Sequence, residues 1–246
     1  MITFVAQAGS TNTDVAALLQ AGERALPFAL ATFDQRAGRG RAGASWVSAP
    51  GRGLAMSIAL AAPQVQPSIV HPVGLAVRDA LRTRAGAGVG LAWPNDIVIA
   101  AEQEVEGWGR WRKIAGILCE WHAGAIIAGI GVNLAYPPGQ QPAPWATSLY
   151  PPEADVERLG RELASDIADR VVAAVETWRA HEGDLTYLLE SIDVASVWRG
   201  QQVRARQGET ELAGVFLGVE PDGAARIETP SGIERWISGE VRHVRV

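Results

Sequence analysis

The segment Gln35-Arg36-Ala37-Gly38-Arg39-Gly40-Arg41-Ala42-Gly43-Ala44-Ser45-Trp46 interleaves three glycines with three arginines and closes on a tryptophan. Apolar stretches flank it on both sides, Phe28 to Phe33 and Leu54 to Leu60, and both read as buried strands. Glycine lets a backbone bend sharply and approach a ligand closely. The planar fork of arginine suits a carboxylate or a phosphate. The loop is therefore a candidate anion cradle between two core strands. A solvated basic loop and an RGG-like RNA contact are the competing readings. The shortness of the run and its place between strands weigh against RNA.

Outward from this unit the chain alternates helix and strand signals. Residues 14–21 read as a helix, with Thr11 or Thr13 as N-cap. Residues 70–85 read as a second helix, with Val73, Val77, Ala80 and Leu81 on one face. Strand signals follow at 88–92, 97–100, 113–120 and 125–132, with the polar residues 101–112 as a hairpin tip. The proline-rich residues 135–152 form a loop. A long helix is predicted over 155–181, where Leu159, Leu163, Ile167, Val171 and Val175 recur at helical spacing, and a shorter one over 184–191. From Trp198-Arg199-Gly200 the pattern changes to short strands at 202–206, 211–219, 224–229, 233–237 and 241–246, separated by glycine turns. This predicts a small β-barrel and a division of the chain into residues 1–196 and 197–246.

Composition narrows the function classes. The chain of 246 residues has a net charge of −5, so it is not a general nucleic-acid binder. No apolar run is long enough to span a bilayer, and the N-terminus lacks secretory-signal character. The single cysteine, Cys119, excludes an internal disulfide and fits a reducing, cytoplasmic setting. Four scattered histidines and that cysteine give no zinc-ligand spacing. Ser-His-Asp, Walker A and GxGxxG patterns are absent from the sequence.

Four more segments carry chemistry. Gly9-Ser10-Thr11-Asn12 precedes the first helix, either as its cap or as a binding site for an anion or polar ligand. Trp93-Pro94-Asn95-Asp96 is a turn at a strand end that offers an amide and a carboxylate, groups suited to a ribose, a ureido group or magnesium. Lys113-Ile114-Ala115-Gly116-Ile117-Leu118 opens an apolar strand with a cation, and Gly116 inside it suggests a close approach. A surface lysine at a strand end is the plain alternative. Gly129-Ile130-Gly131-Val132-Asn133 is a glycine-rich strand end carrying an amide. Cys119 has no histidine in local register and reads as a structural thiol.

In this order and spacing the five segments resemble the catalytic core of biotin protein ligases. The C-terminal strands, with Ser238-Gly239-Glu240-Val241, are similar to that family's small SH3-like domain. The resemblance implies an α+β fold. A catalytic domain like those of class II aminoacyl-tRNA synthetases, with a mixed and largely antiparallel sheet flanked by helices, precedes an SH3-like β-barrel. It implies biotin and ATP as substrates with Mg²⁺, a biotinyl-5′-AMP intermediate, and a biotin carboxyl carrier domain as partner. No nucleic acid or membrane is implied, nor an N-terminal helix-turn-helix, and a homodimer is one arrangement such proteins use. Carried over, Ser10, Thr11, Asn12 and Gln35 would surround the biotin head. Arg39, Gly40 and Arg41 would form the biotin and adenylate loop, with Trp46 packed along the ligand. Lys113 would meet the biotin carboxyl end and the phosphate, and Gly116 would let biotin lie on the strand. Trp93, Asn95, Asp96 and Asn133 would serve ATP, with Asp96 beside the magnesium. Lys113, Arg41 and Arg39 would be catalytic.

Two departures remove positive charge. Ala92 stands where the family usually has lysine, and Ala42 and Ala44 replace two loop arginines. The expectation is a slower ligase, or one that recruits Arg36, Arg52 or Arg112. A biotin-binding protein without ligation, and lipoate or octanoate transfer on a related fold, are the alternatives.

Overall fold

The structure, a computed structural model, describes residues 2–62, 65–237 and 239–243. Its larger sheet has seven strands: β1 (Ile2–Phe4), β2 (Phe28–Thr32), β5 (Gly53–Ala61), β6 (Val89–Ala92), β7 (Asp96–Val105), β8 (Gly109–His122) and β9 (Ala125–Asn133). Their order is β1-β2-β5-β9-β8-β7-β6. Only β1 and β2 run parallel; the remaining neighbours are antiparallel. The mixed, largely antiparallel sheet is the predicted one. The expected hairpin tip at 101–112 is shorter than predicted, because most of those polar residues lie in the arms of β7 and β8.

The alternation of each strand sorts its residues between two faces. On one face Ala29, Ala31, Leu54, Met56, Ile58, Ile130 and Val132 join the main core beneath α2 (Val70–Ala85) and α3 (Val156–Ala180). On the other, Phe28, Leu30, Ala59 and Ile127 pack with Val15 of α1 (Thr11–Gln20). That helix covers only part of its face, and the uncovered part holds the site.

The N-cap of α1 is Ser10, not Thr11 or Thr13, and its side chain makes no capping bond. The predicted helix at 184–191 is a 3₁₀ turn, Thr186–Leu188, running into α4 (Leu189–Ala195). Inside the arginine loop, β3 (Gly38–Arg39) and β4 (Ser45–Trp46) form a two-residue hairpin.

The second sheet contains β10 (Gln202–Gln207), β11 (Thr210–Val219), β12 (Ala225–Thr229), β13 (Gly232–Trp236) and β14 (Glu240–His243), in the order β13-β12-β11-β10-β14. All its pairs are antiparallel, and among the described residues no ladder joins β13 to β14 to close a barrel. Ser238 and residues 244–246 lie outside the described residues.

The carbonyl of Gly223, in the β11–β12 turn, meets both His71 of α2 (Nε2 at 3.0 Å) and Trp93 (Nε1 at 3.3 Å). Burial pulls the His71 imidazole down from 6.5 to about 4, against the smaller upward pull of the Gly223 hydrogen bond. The unfolded chain takes up this proton near 6.5 and the folded one only near 4. Stability is therefore full above the first value and falls as pH drops toward the second. A His71→Gln variant should lose that slope, on the order of 3 kcal/mol across the window. Chemical denaturation at several pH values measures it.

Candidate active site

The uncovered face opens into a cavity of about 750 Å³, walled by the Ser-Thr-Asn corner, the arginine loop, the Pro94-Asn95-Asp96 turn, β8 and β9. Gln207, Gly208, Gly239 and Glu240 from the second sheet complete the wall, with Arg206 and Arg242. Ser10, Thr11, Asn12, Gln35, Arg39, Gly40, Arg41, Trp46, Asn95, Asp96, Lys113 and Gly116 all line it. Trp93 and Asn133 do not. Trp93 is buried against Gly223 of the second sheet. Asn133 is buried behind Lys113, whose carbonyl accepts from its Nδ2 at 3.4 Å.

The floor follows from strand register. Gly116 of β8 is paired with Gly131 of β9, and the Trp46 indole rests on both. A Cβ on Gly131 would run into the ring, and one on Gly116 would stand 2.9 Å from it and 3.1 Å from the Lys113 side chain. Gly129, two residues from Gly131, leaves room for Asn12 in the same way. The glycines thus bring an aromatic ring, a polar corner and a cation onto bare backbone.

The corner is a connected polar network. Gln35 Oε1 accepts from the Thr11 backbone N–H at 2.9 Å, and the Thr11 hydroxyl lies 3.2 Å from the same oxygen. The Ser57 hydroxyl lies 2.7 Å from that of Thr11 and donates to Asn12 Oδ1 at 2.5 Å. Asn12 Nδ2 donates to Glu120 Oε2 at 2.7 Å. Thr11 and Asn12 are therefore tied to each other and to the neighbouring strands through Ser57, and no side chain of this motif caps α1. Ser57 and Glu120 were not singled out in the sequence. Their signal is a polar residue inside an otherwise apolar strand, which carries a cost unless it is hydrogen-bonded.

Three cations face this floor. Lys113 Nζ stands 2.6 Å from Asp96 Oδ1 and 5.3 Å from the centre of the Trp46 ring. Arg41 Nη1 donates to Asn95 Oδ1 at 3.3 Å and to the Gly239 carbonyl at 3.1 Å. Burial pulls the Arg41 guanidinium below its ordinary value, opposed by Asp96 and Glu240. Arg39 Nη2 pairs with Glu120 Oε2 at 2.7 Å. Asn95 is bonded to Ile117 in both directions, its Nδ2 donating to the Ile117 carbonyl at 2.8 Å and its backbone carbonyl accepting from the Ile117 N–H at 3.0 Å. This clamps the turn to β8. Desolvation pushes the Cys119 thiol up to about 12, which removes it as a nucleophile at neutral pH.

A polar corner, an aromatic-covered glycine floor and three cations suit a ligand with an apolar body and anionic end. Residues 7–135 match the Biotin/lipoate A/B protein ligase family, and residues 200–244 match the Biotin protein ligase C terminal domain. The chain belongs to the biotin protein ligase family. It is 32% identical over 248 residues to the biotin--[acetyl-CoA-carboxylase] ligase of Paracoccus denitrificans, covering 93% of this chain and 95% of that one. Identity to the Mycobacterium tuberculosis protein of the same description is 27% over 257 residues, covering 99% and 89%. The biotin protein ligase from Aquifex aeolicus, solved in complex with biotin and ATP, superposes with a TM-score of 0.75 at 25% identity, covering 100% of this chain and 99% of that one.

The recruitment expected of Arg36, Arg52 or Arg112 is not seen. Ala92 is buried at the end of β6, and Ala42 sits in the left-handed region at φ 51°. Arg36 pairs with Asp34, Arg52 bonds the carbonyls of Ala135 and Pro152, and Arg112 bonds those of Gln103, Gly109 and Trp111. None of the three lines the cavity. The additional cations are Arg206 of β10 and Arg242 of β14. Arg242 is held over the Trp108 ring at 4.5 Å and lies 3.5 Å from Glu240.

Proposed function

We propose that this chain biotinylates a specific lysine on the biotin carboxyl carrier domain of a carboxylase. The observation that carries the reading is that one cavity is lined by Arg39, Arg41 and Lys113 together with the polar corner. In the first step a carboxylate oxygen of biotin bonds to the α-phosphorus of ATP, and pyrophosphate leaves. The product is biotinyl-5′-AMP. In the second, the carrier lysine amine attacks the acyl carbon, AMP leaves, and an amide forms. Two anions must meet in the first step, and clustered cations in a partly dry site offset their repulsion.

Ser10, Thr11, Asn12 and Gln35 hold the ureido head of biotin in this reading, over Gly116 and beside Trp46. Lys113 and Arg39 meet its carboxylate, and Arg41 meets the phosphate of the adenylate. Arg206 and Arg242 supply the polyphosphate charge that Ala42, Ala44 and Ala92 do not. Among the described residues no cluster of three acidic, histidine or cysteine side chains forms a metal cage. The carboxylates on the wall are Asp96 and Glu240, a donor set that fits Mg²⁺ carried in by nucleotide phosphates. Bound there, the ion would neutralise phosphate charge. No helix among the described residues is long and apolar enough to cross a membrane. The cytoplasm, with its reduced thiols, is the compartment we assign. Residues 1–196 and 197–246 are assigned as two domains, and light scattering reads whether the chain forms a homodimer.

Incubation with labelled biotin, ATP, Mg²⁺ and an apo-carrier domain tests the activity. Label on the carrier lysine is expected, and its absence with a folded enzyme refutes the proposal. In pyrophosphate exchange, Arg206→Ala and Arg242→Ala should each raise KM for ATP about tenfold, the worth of one charge-assisted hydrogen bond. Arg36→Ala should stay within about twofold, as expected for a charge paired elsewhere at the surface.

A further inference from the structure

We propose that Glu120 is a positioning residue of this site, holding Arg39 toward the cavity and tying it to the Ser-Thr-Asn corner. The inference rests on the ligase reading above and adds a residue that does not itself line the cavity. Period-two alternation places Glu120 on the same face of β8 as Gly116 and Leu118, opposite Ile127 of β9. One oxygen, Oε2, receives two donors at 2.7 Å each, Asn12 Nδ2 from the corner and Arg39 Nη2 from the loop.

These two donors are held very differently. Asn12 is buried and fixed at three further points: Nδ2 to the Leu118 carbonyl at 3.2 Å, Oδ1 to Ser57 at 2.5 Å, and its place in α1. Arg39 stands between Gly38 and Gly40 in a two-residue hairpin strand, with nearly half of its side chain exposed. Its backbone neighbours give it little stiffness. The carboxylate on the rigid strand therefore sets where the guanidinium points.

The pair is too exposed to add much to stability. What it supplies is preorganisation, because a guanidinium fork held in place loses less freedom when it binds an anion. Arginine carries five N–H donors, so one can serve Glu120 while others meet a carboxylate.

Glu120→Gln keeps an acceptor for Asn12 and removes the charge that holds Arg39. We expect its biotin Kd by calorimetry to rise about five- to tenfold, with the thermal midpoint nearly unchanged. Combined with Arg39→Gln, it should weaken binding less than twofold beyond Arg39→Gln alone, because the effect runs through that arginine. Equal fold losses in both backgrounds would overturn the proposal. So would tighter biotin binding by Glu120→Gln, which would make Glu120 a competitor for the guanidinium. If Glu120→Gln fails to fold, the carboxylate is needed for the corner itself and the proposal falls. Independently, Arg39→Gln, changed from the exposed side, should itself raise the biotin Kd, and wild-type affinity there would mean that Arg39 does not meet biotin and would overturn the proposal. Biotin affinity reads the Glu120–Arg39 pair whether or not transfer occurs. A wild-type protein that binds biotin but labels no carrier refutes the activity and not the pair.

Discussion

Replacing Lys113 with alanine is expected to lower the rate of biotinyl-5′-AMP formation by about 10²–10³ while biotin still binds, the loss found when one preorganised charge donor leaves a dry reaction centre. Lys113 is the cation that strand geometry aims best. Its Cα belongs to β8, its chain lies over Gly116, and its ammonium sits between Asp96 at 2.6 Å and the Trp46 face at 5.3 Å. An ammonium so placed meets developing negative charge without reorganising. The substitution also strands Asp96, which is only 6% exposed. A buried carboxylate stripped of its partner is costly. Lys113→Ala should therefore lose stability as well as rate, and adding Asp96→Asn should return stability without returning exchange. Pyrophosphate exchange and thermal melts on the single and double variants separate the two effects. A loss confined to KM for biotin would assign the lysine to ground-state binding instead.

How far the site could be read from the sequence depended on the range of the contacts involved. The arginine loop, Lys113 and Gly116 were legible because each announces itself locally, as a charge or a glycine where an apolar strand needs neither. Ser57 and Glu120 were not, because they join the site only through pairing of β5 with β9 and β9 with β8. Arg206 and Arg242 come from a second sheet whose approach no local pattern encodes. The expected compensators fail for a simple reason. Arg112 adjoins Lys113 in sequence, but it is buried under the β7–β8 hairpin, bonded to carbonyls of its own strands. Proximity along a strand is not proximity in space. The same alternation explains the fold's legibility: the apolar periods of β2, β5 and α3 give their elements directly, whereas the short hairpin inside the loop depends on a two-residue pairing with no apolar face.

Arg41→Gly is expected to weaken biotinyl-5′-AMP by roughly 10- to 100-fold, the worth of a charge-assisted hydrogen bond in a partly buried site, and biotin by less than threefold. The asymmetry follows from position. Arg41 begins the 3₁₀ turn Arg41–Gly43 and reaches away from the polar corner, toward Asn95 of the turn and the Gly239 carbonyl of the second sheet. Biotin alone would occupy the corner and the glycine floor, which Arg41 does not touch. The adenylate adds a phosphate, and that group calls on the guanidinium. Substitution removes the phosphate partner and the contact between loop and second sheet together. The adenylate should then leave faster, with its off-rate carrying most of the change. Glycine also loosens a loop that already contains Gly38, Gly40 and Gly43. Alanine in place of glycine separates the causes: an equal loss in Arg41→Ala assigns the effect to the side chain, and a much smaller one assigns it to loop entropy. Calorimetry with each ligand decides the assignment, and equal losses for biotin and its adenylate would move Arg41 from the phosphate to the biotin end of the cavity.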